Sequence, residues 1–455
     1  MIVPLSGAVA DACGGKAGAL GALLRAGLPV PDGFVVTFAA YVAAVRDLDL
    51  GRPAADPDDP GAIRRAIEGR PVHAAVAAAL GRALDELGDP PVAVRSSASN
   101  EDTGHASAAG QHESFLAVRG ASAVADAVRD CWASLFSPRA IGYRDASGHD
   151  GRRSGDLAMA VIVQRHVDAE VSGVMFTPAD PDGVTGIEAS WGLGPSVVGG
   201  TVTPDAYRVA ADGSVVRTIA DKRTRLDRHG ARLVTRDVPA AARRRPAIDD
   251  ATATRLAALG RDVAAVLGGP QDIEWAIADG RVWLLQARPV TAEPPPPPPA
   301  ASGGAASART GTSAASGGGG AARSGTFAVS GGGGAAPAGP SAASNGAAVT
   351  LTGTPGSRGT ATGAARVVRG PGDFSRVRPG DILVCPFTDP AWTPLLRIAA
   401  GVVTETGGVL SHAAIVAREH GIPAVLGIPD ATRRLRDDTV ITLDGTTGTV
   451  TATDA

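Results

Sequence analysis

From Gln271 to Pro289, polar and apolar side chains alternate on both sides of Asp279-Gly280. That alternation predicts a β-hairpin. Successive side chains of a strand point to opposite faces. Asp272 and Glu274 therefore share a face, as do Gln286 and Arg288 on the partner strand, while Ile273, Trp275, Leu285 and Ala287 take the other. The four polar groups meet on one side only if the connection holds an odd number of residues; a two-residue Asp-Gly turn would divide them. We expect the odd connection. Two carboxylates, an amide oxygen and a guanidinium on one face make a set suited to Mg²⁺ and the phosphates it bridges.

Three earlier segments carry weaker signals. In CGGKAGALGALLRAGLPVPDGFVVT (13–37), Gly14, Gly15 and Lys16 precede a helical apolar pattern through Leu20, Leu23 and Leu24. Such a turn presents backbone N–H groups and an ammonium to phosphate, although it lacks the spacing of a P-loop. In VAVRSSASNEDTGHASAAGQHESFLAV (92–118), a strand at Val92–Val94 leads into Arg95, a loop of small residues follows, and a second strand is expected near Ser114. Such a loop suits a cover over a triphosphate, with Arg95 neutralising charge; a plain surface hairpin fits equally well. In EASWGLGPSVVGGTVTPDAY (188–207), Gly192, Gly194, Gly199 and Gly200 predict tight turns, with no assignable chemistry.

The pattern breaks after residue 292. Six prolines (294–299) open a stretch of Gly, Ala, Ser and Pro that runs to about 348 and repeats SGGGGAA at 316–322 and 330–336. Too little apolar surface is present to offset ordering entropy, so a disordered linker over 293–348 is expected. About fifty flexible residues span roughly 40 Å on average. Strand-like runs then return at 365–368, 381–385, 401–405, 424–428, 439–444 and 449–453. They predict a small β-rich domain over 349–455, tethered to a large domain over 1–292.

In the small domain, GGVLSHAAIVAREHGIPAVLG (407–427) sets His412 between a Gly-Gly loop and a short apolar helix. Neutral imidazole is a nucleophile near neutral pH, and a helix start favours a phosphate placed on it. Ser411 is expected to cap that helix, Gly421 and Pro423 to end it, and the small Ala413 and Ala414 to let it approach a donor cleft. A lone histidine at a helix start is by itself commonplace; the tether and the polar hairpin face raise it to a candidate phosphoryl carrier.

Composition narrows the setting. The net charge of −3 calls for neither nucleic acid nor an anionic membrane surface. Three cysteines, few and far apart, suggest neither a disulfide framework nor a zinc site. No apolar run reaches the roughly 18 residues of a membrane span, so the cytoplasm is the expected location. Of 43 basic residues only Lys16 and Lys222 are lysine. A lysine kept against that bias points to a position that a wide guanidinium cannot serve.

Together these segments, with 130–144 and 160–178, resemble the phosphoenolpyruvate synthase and pyruvate phosphate dikinase family, which includes rifampicin phosphotransferase. The resemblance covers nearly all of the chain outside the linker. It implies an α/β and α+β protein: an ATP-grasp nucleotide domain (1–292) and a swivelling phosphohistidine domain (349–455). It implies ATP and Mg²⁺ as cofactors. Lys16, Arg95 and Arg288 would meet ATP phosphates with Asp272 nearby, Glu274 and Gln286 would hold the metal, and His412 would carry the phosphoryl group. It also implies release of AMP and phosphate. Two substitutions depart from the family pattern: Pro195 stands where glutamate is usual, and Ala108 replaces an aromatic residue beside Gly110-Gln111. The family's pyruvate barrel and antibiotic-binding domain have no expected counterpart here. The acceptor is therefore either a small molecule bound between the two domains or a separate acceptor protein; a non-catalytic ATP-binding regulator is the alternative of another class.

Overall fold

The computed structural model describes residues 1–46, 48, 61–99, 113–137, 140–141, 157–180, 182–292 and 349–452. The expected linker over 293–348, and Ala108 with Gly110-Gln111, lie outside the described residues. No described helix is long and apolar enough to cross a membrane.

Two large antiparallel sheets and a two-stranded ribbon, Thr224–His229 with Arg232–Asp237, build the first region. One orders Ile2–Pro4, Gly33–Val36, Met159–Arg165, Val92–Ala98 and Ser114–Val118. The other orders Arg281–Pro289, Gln271–Ala278, Val171–Phe176, Thr185–Trp191, Asp205–Val209 and Val215–Thr218. The helix Ala10–Arg25 joins them: Cys13, Ala17, Leu20 and Leu23 share a core with Val35 and Ile162 of the first sheet and Ile273 and Trp275 of the second. Its i, i+3, i+4 apolar spacing supplies that buried stripe.

The expected Gly-Gly-Lys turn is a break inside this helix. Gly14 takes a left-handed φ of 80°, and a Cβ there would come within 2.5 Å of the Ser97 carbonyl and hydroxyl. The Ser97 hydroxyl accepts from the Ala17 N–H at 3.1 Å. A side chain from another strand thus satisfies one of the orphan donors of the restarted helix, and it holds Lys16 beside the strand that carries Arg95.

The second region is a mixed eight-stranded sheet. All six strand-like runs form strands: Thr360–Val367, Ile382–Cys385, Gly401–Thr404, Ala424–Leu426, Val440–Asp444 and Thr449–Ala452. Val349–Thr352 and Thr354–Ser357 add to its edges; their Thr, Gly and Pro content hides the strand signal. The helix His412–Glu419 packs Ala413, Ala414, Val416 and Ala417 into the core of this sheet. It ends as expected: Gly421 has φ 65° and the Ile422 N–H reaches the Ala417 carbonyl at 3.0 Å, a Schellman closure.

Candidate active site

The hairpin forms, with a correction to its turn. Ala278 pairs with Arg281, so the connection is the two-residue Asp279-Gly280 turn, both residues at positive φ, as a tight hairpin prefers. The odd residue enters further along. Trp275 pairs with Leu284 but Glu274 with Gln286, leaving Leu285 as a β-bulge. A bulge restores the parity that the turn removes. Asp272 lies opposite Arg288 and Glu274 opposite Gln286, so the four polar side chains share one face. The bulge also changes the apolar face: Leu284, not Leu285, joins Ile273, Trp275 and Ala287 in the core, and Leu285 packs near Ala276 instead.

Arg95 explains what the bulge is for. Its Nη2 lies 2.9 Å from Glu274 Oε2, and its Nη1 donates to the Leu285 carbonyl at 2.7 Å. A regular ladder would use that carbonyl between strands; the bulge turns it toward the guanidinium. Arg288 is held to Asp272 Oδ2 through both Nε and Nη2 at 2.8 Å. Asp272 and Gln286 are buried, whereas Glu274 and Arg95 keep some solvent contact. A cleft of about 240 Å³ lies between the broken helix and the hairpin, lined by Gly15, Gly18, Gln271 and Arg288 among others. The structure thus gathers Arg95, Asp272, Glu274, Gln286 and Arg288, with the Lys16 helix along the cleft. No cluster of three or more acidic, His or Cys ligands occurs among the described residues. The Glu274 and Gln286 oxygens, with Asp272 nearby, still fit Mg²⁺, which commonly takes one or two carboxylates and completes its shell with water and phosphate.

Lys222 follows different logic. It is fully buried and its Nζ lies 2.5 Å from Asp205 Oδ1. Asp205 also accepts from the Ala220 and Ala247 N–H groups. The ammonium is enclosed with this carboxylate in the interior, so the second lysine is structural.

His412 is 5% exposed. Its Nδ1 is 2.9 Å from the Thr388 hydroxyl and its Nε2 is 3.5 Å from that of Thr393. Ser411 does not cap the helix as expected: its hydroxyl donates to the Gly408 carbonyl at 2.8 Å. The first-turn donors are therefore not taken up by a serine cap.

The loop before His412 sits against the first region. The Leu410 N–H donates to Glu188 Oε2 at 3.2 Å, and the Thr406 hydroxyl donates to the Gly200 carbonyl at 2.6 Å. A Cβ on Gly408 would overlap the Glu188 carboxylate. Leu410 and Ile415 share an apolar cluster with Val174, Phe176, Val197 and Val202. Burial pushes the Glu188 carboxyl up to about 7, against the pull of the Leu410 and Val409 N–H groups and of Arg418. Glu188 and the turn at Gly200 hence form a docking surface. Sequence reasoning misses Glu188 because the glycines beside it dominate the pattern; a carboxylate inside a strand with apolar neighbours is the available signal. Thr388 and Thr393, far from His412 in sequence, leave none. Pro195 opens the short helix Pro195–Val198, where proline is favoured, and offers no carboxylate.

The pyruvate phosphate dikinase AMP/ATP-binding domain matches residues 10–302, and the mobile domain of PEP-utilising enzymes matches residues 377–448. The chain belongs to the pyruvate phosphate dikinase family. Among curated relatives, the probable phosphoenolpyruvate synthases of Methanothermobacter thermautotrophicus and Archaeoglobus fulgidus are each 35% identical over 96% of this chain, which matches 61% and 56% of their lengths. The phosphoenolpyruvate synthase of Aeropyrum pernix is 33% identical over 96% of the chain and 56% of its own length. The chain therefore spans little more than half of these family members. The matched domains place the polar hairpin in the family's nucleotide-binding part and His412 in its mobile part.

Proposed function

We propose that this chain loads a phosphoryl group from ATP onto His412 and passes it to an acceptor, as an ATP-dependent phosphotransferase. The observation that carries the reading is the seating of the His412 loop on Glu188 and Gly200, with Glu188 on the same face of the sheet as Asp272, Glu274, Gln286 and Arg288.

Lys16, Arg95 and Arg288 stabilise the negative charge of the phosphates. Glu274 and Gln286, with Asp272 nearby, are the residues to hold Mg²⁺, which when bound supplies charge neutralisation across phosphate oxygens. In the tautomer whose Nδ1–H donates to the Thr388 hydroxyl, the Nε2 lone pair, 3.5 Å from the Thr393 hydroxyl, is the nucleophile. A P–N bond forms at Nε2 as a P–O bond of the nucleotide breaks. With AMP as the leaving group of that step, water then breaks the remaining P–O–P link of the transferred pyrophosphoryl, releasing phosphate and leaving one phosphoryl on His412. The domain assignment behind this reading is 1–292 for loading, 293–348 as tether and 349–455 as carrier, in the cytoplasm.

Incubation with β- and γ-labelled ATP tests it. Acid-labile label on the chain, absent from His412→Ala, is the expected result; no label on the unaltered chain sinks the catalytic reading in favour of a nucleotide-binding regulator. The relatives' names make pyruvate the first acceptor to try. If the labelled chain discharges only when a second protein is added, the chain is the donor component of a divided system.

A further inference from the structure

Arg418 lies six residues after His412, on the same helix. Its Nη1 donates to the carbonyls of Val409 at 2.7 Å and Gly356 at 2.9 Å. The other edge of the guanidinium is different: Nε and Nη2 are shut off from solvent and have no hydrogen-bond partner among the described residues. That edge is the fork with which arginine takes two oxygens of one anion. Buried donors are rarely left unmade in folded proteins.

The surroundings of the fork lie on both sides of the domain contact. The charges of Glu188 and Asp272, from the first region, and of Glu419 act on Arg418. Each of these carboxylates has another partner: Asp272 is held by Arg288, Glu188 by the Leu410 N–H, and Glu419 by the Thr291 hydroxyl at 2.9 Å. The fork therefore awaits a further anion, next to the hairpin face that presents Asp272 and Arg288.

We propose that Arg418 is a phosphate-contacting residue brought to the nucleotide cleft by the carrier domain, its Nε–Nη2 edge taking two oxygens of the polyphosphate when the domains dock. The inference rests on the loading reading above. Arg288 holds the polyphosphate from the hairpin side and Arg418 from the carrier side. Docking and nucleotide occupancy then reinforce each other: ATP gives the carrier domain an anion to bind, and the carrier gives ATP a second guanidinium.

The test compares two phosphoryl donors on the full chain and on Arg418→Lys and Arg418→Ala. Labelled ATP needs the cleft; phosphoramidate, a small donor that modifies histidine directly, does not. Removal of one charge-stabilising donor costs about 10²–10³-fold in rate. We expect a loss of that order with ATP in both variants, since an ammonium cannot replace the fork. Labelling of His412 by phosphoramidate stays within about twofold, showing the carrier domain folded. Wild-type labelling from ATP by Arg418→Ala overturns the inference and leaves the loading reading intact. Equal losses with both donors overturn it too, by showing that Arg418 only braces the Val409 and Gly356 carbonyls. An unaltered chain that takes label from phosphoramidate but not from ATP overturns the loading reading, and the inference with it.

Discussion

Arg95 and Glu274 stand on different sheets and meet at 2.9 Å. They are joined there because Leu285 bulges out of the hairpin and offers its carbonyl to the same guanidinium at 2.7 Å. One arginine so ties the two sheets together. Arg95→Gln is expected to lower ATP-dependent labelling of His412 by about 10²-fold or more. Its effect on unfolding by urea should be about 1.5–3 kcal/mol, the scale of a charged hydrogen bond. A stability loss large enough to unfold the protein at room temperature would show that the pair is chiefly structural.

Gly408 gives a test of docking by shape alone. Its backbone is not in the left-handed region, so alanine is tolerated locally, yet a Cβ would overlap the Glu188 carboxylate. Gly408→Ala should leave the thermal midpoint of the mobile domain within a few degrees and slow labelling from ATP by about tenfold or more, each tenfold being about 1.4 kcal/mol. Labelling by phosphoramidate should be unchanged.

Docking should also depend on pH. The Glu188 carboxyl is raised from its ordinary 4.5 to about 7 by burial against the His412 loop, with Arg418 the opposing charge. A raised acid favours the protonated form in the docked state. Its contribution is therefore fully present below about 4.5 and is lost as the pH rises through about 7. Energy transfer between dyes on the two domains should fall as pH climbs from 5 to 8. Glu188→Gln should remove this step; an unchanged profile in that variant would assign the titration elsewhere.

Thr388 is the partner of His412 Nδ1 at 2.9 Å. Thr388→Val keeps the shape and deletes the hydroxyl, and loss of one neutral hydrogen bond corresponds to about a tenfold fall in labelling rate. Thr388→Ser should restore most of it. Equal rates in all three proteins would show that Thr388 does not select the tautomer.

Lys222 and Asp205 form a fully buried pair. Lys222→Ala leaves Asp205 as an uncompensated buried charge, which costs about 3–5 kcal/mol. Urea denaturation measures it. Arginine at this position should be nearly as damaging, because a wider head must be fitted into a fully buried, packed site.

Much of the site is legible in the amino-acid sequence. The alternation of Asp272 with Glu274 and of Gln286 with Arg288 is a local property of a strand, since side-chain direction repeats every two residues. The six strand runs of the small domain and the position of His412 at a helix start are local in the same way. The odd hairpin connection is a sound inference from parity placed at the wrong point. Asp279-Gly280 favours a two-residue turn on its own chemistry, and the parity is recovered at Leu285 instead.

The sequence by itself determined which residues can do chemistry and which elements carry them, because propensity and periodicity act over a few neighbours. Only the tertiary structure decided where the bulge falls, that the Ser411 hydroxyl turns to Gly408, that Thr388 meets the imidazole, and that the charge of Glu188 acts on Arg418 across the domain contact. Those are contacts between segments from 3 to 230 residues apart. They depend on how two sheets and a docked domain bury polar groups, and no short stretch of sequence encodes that burial.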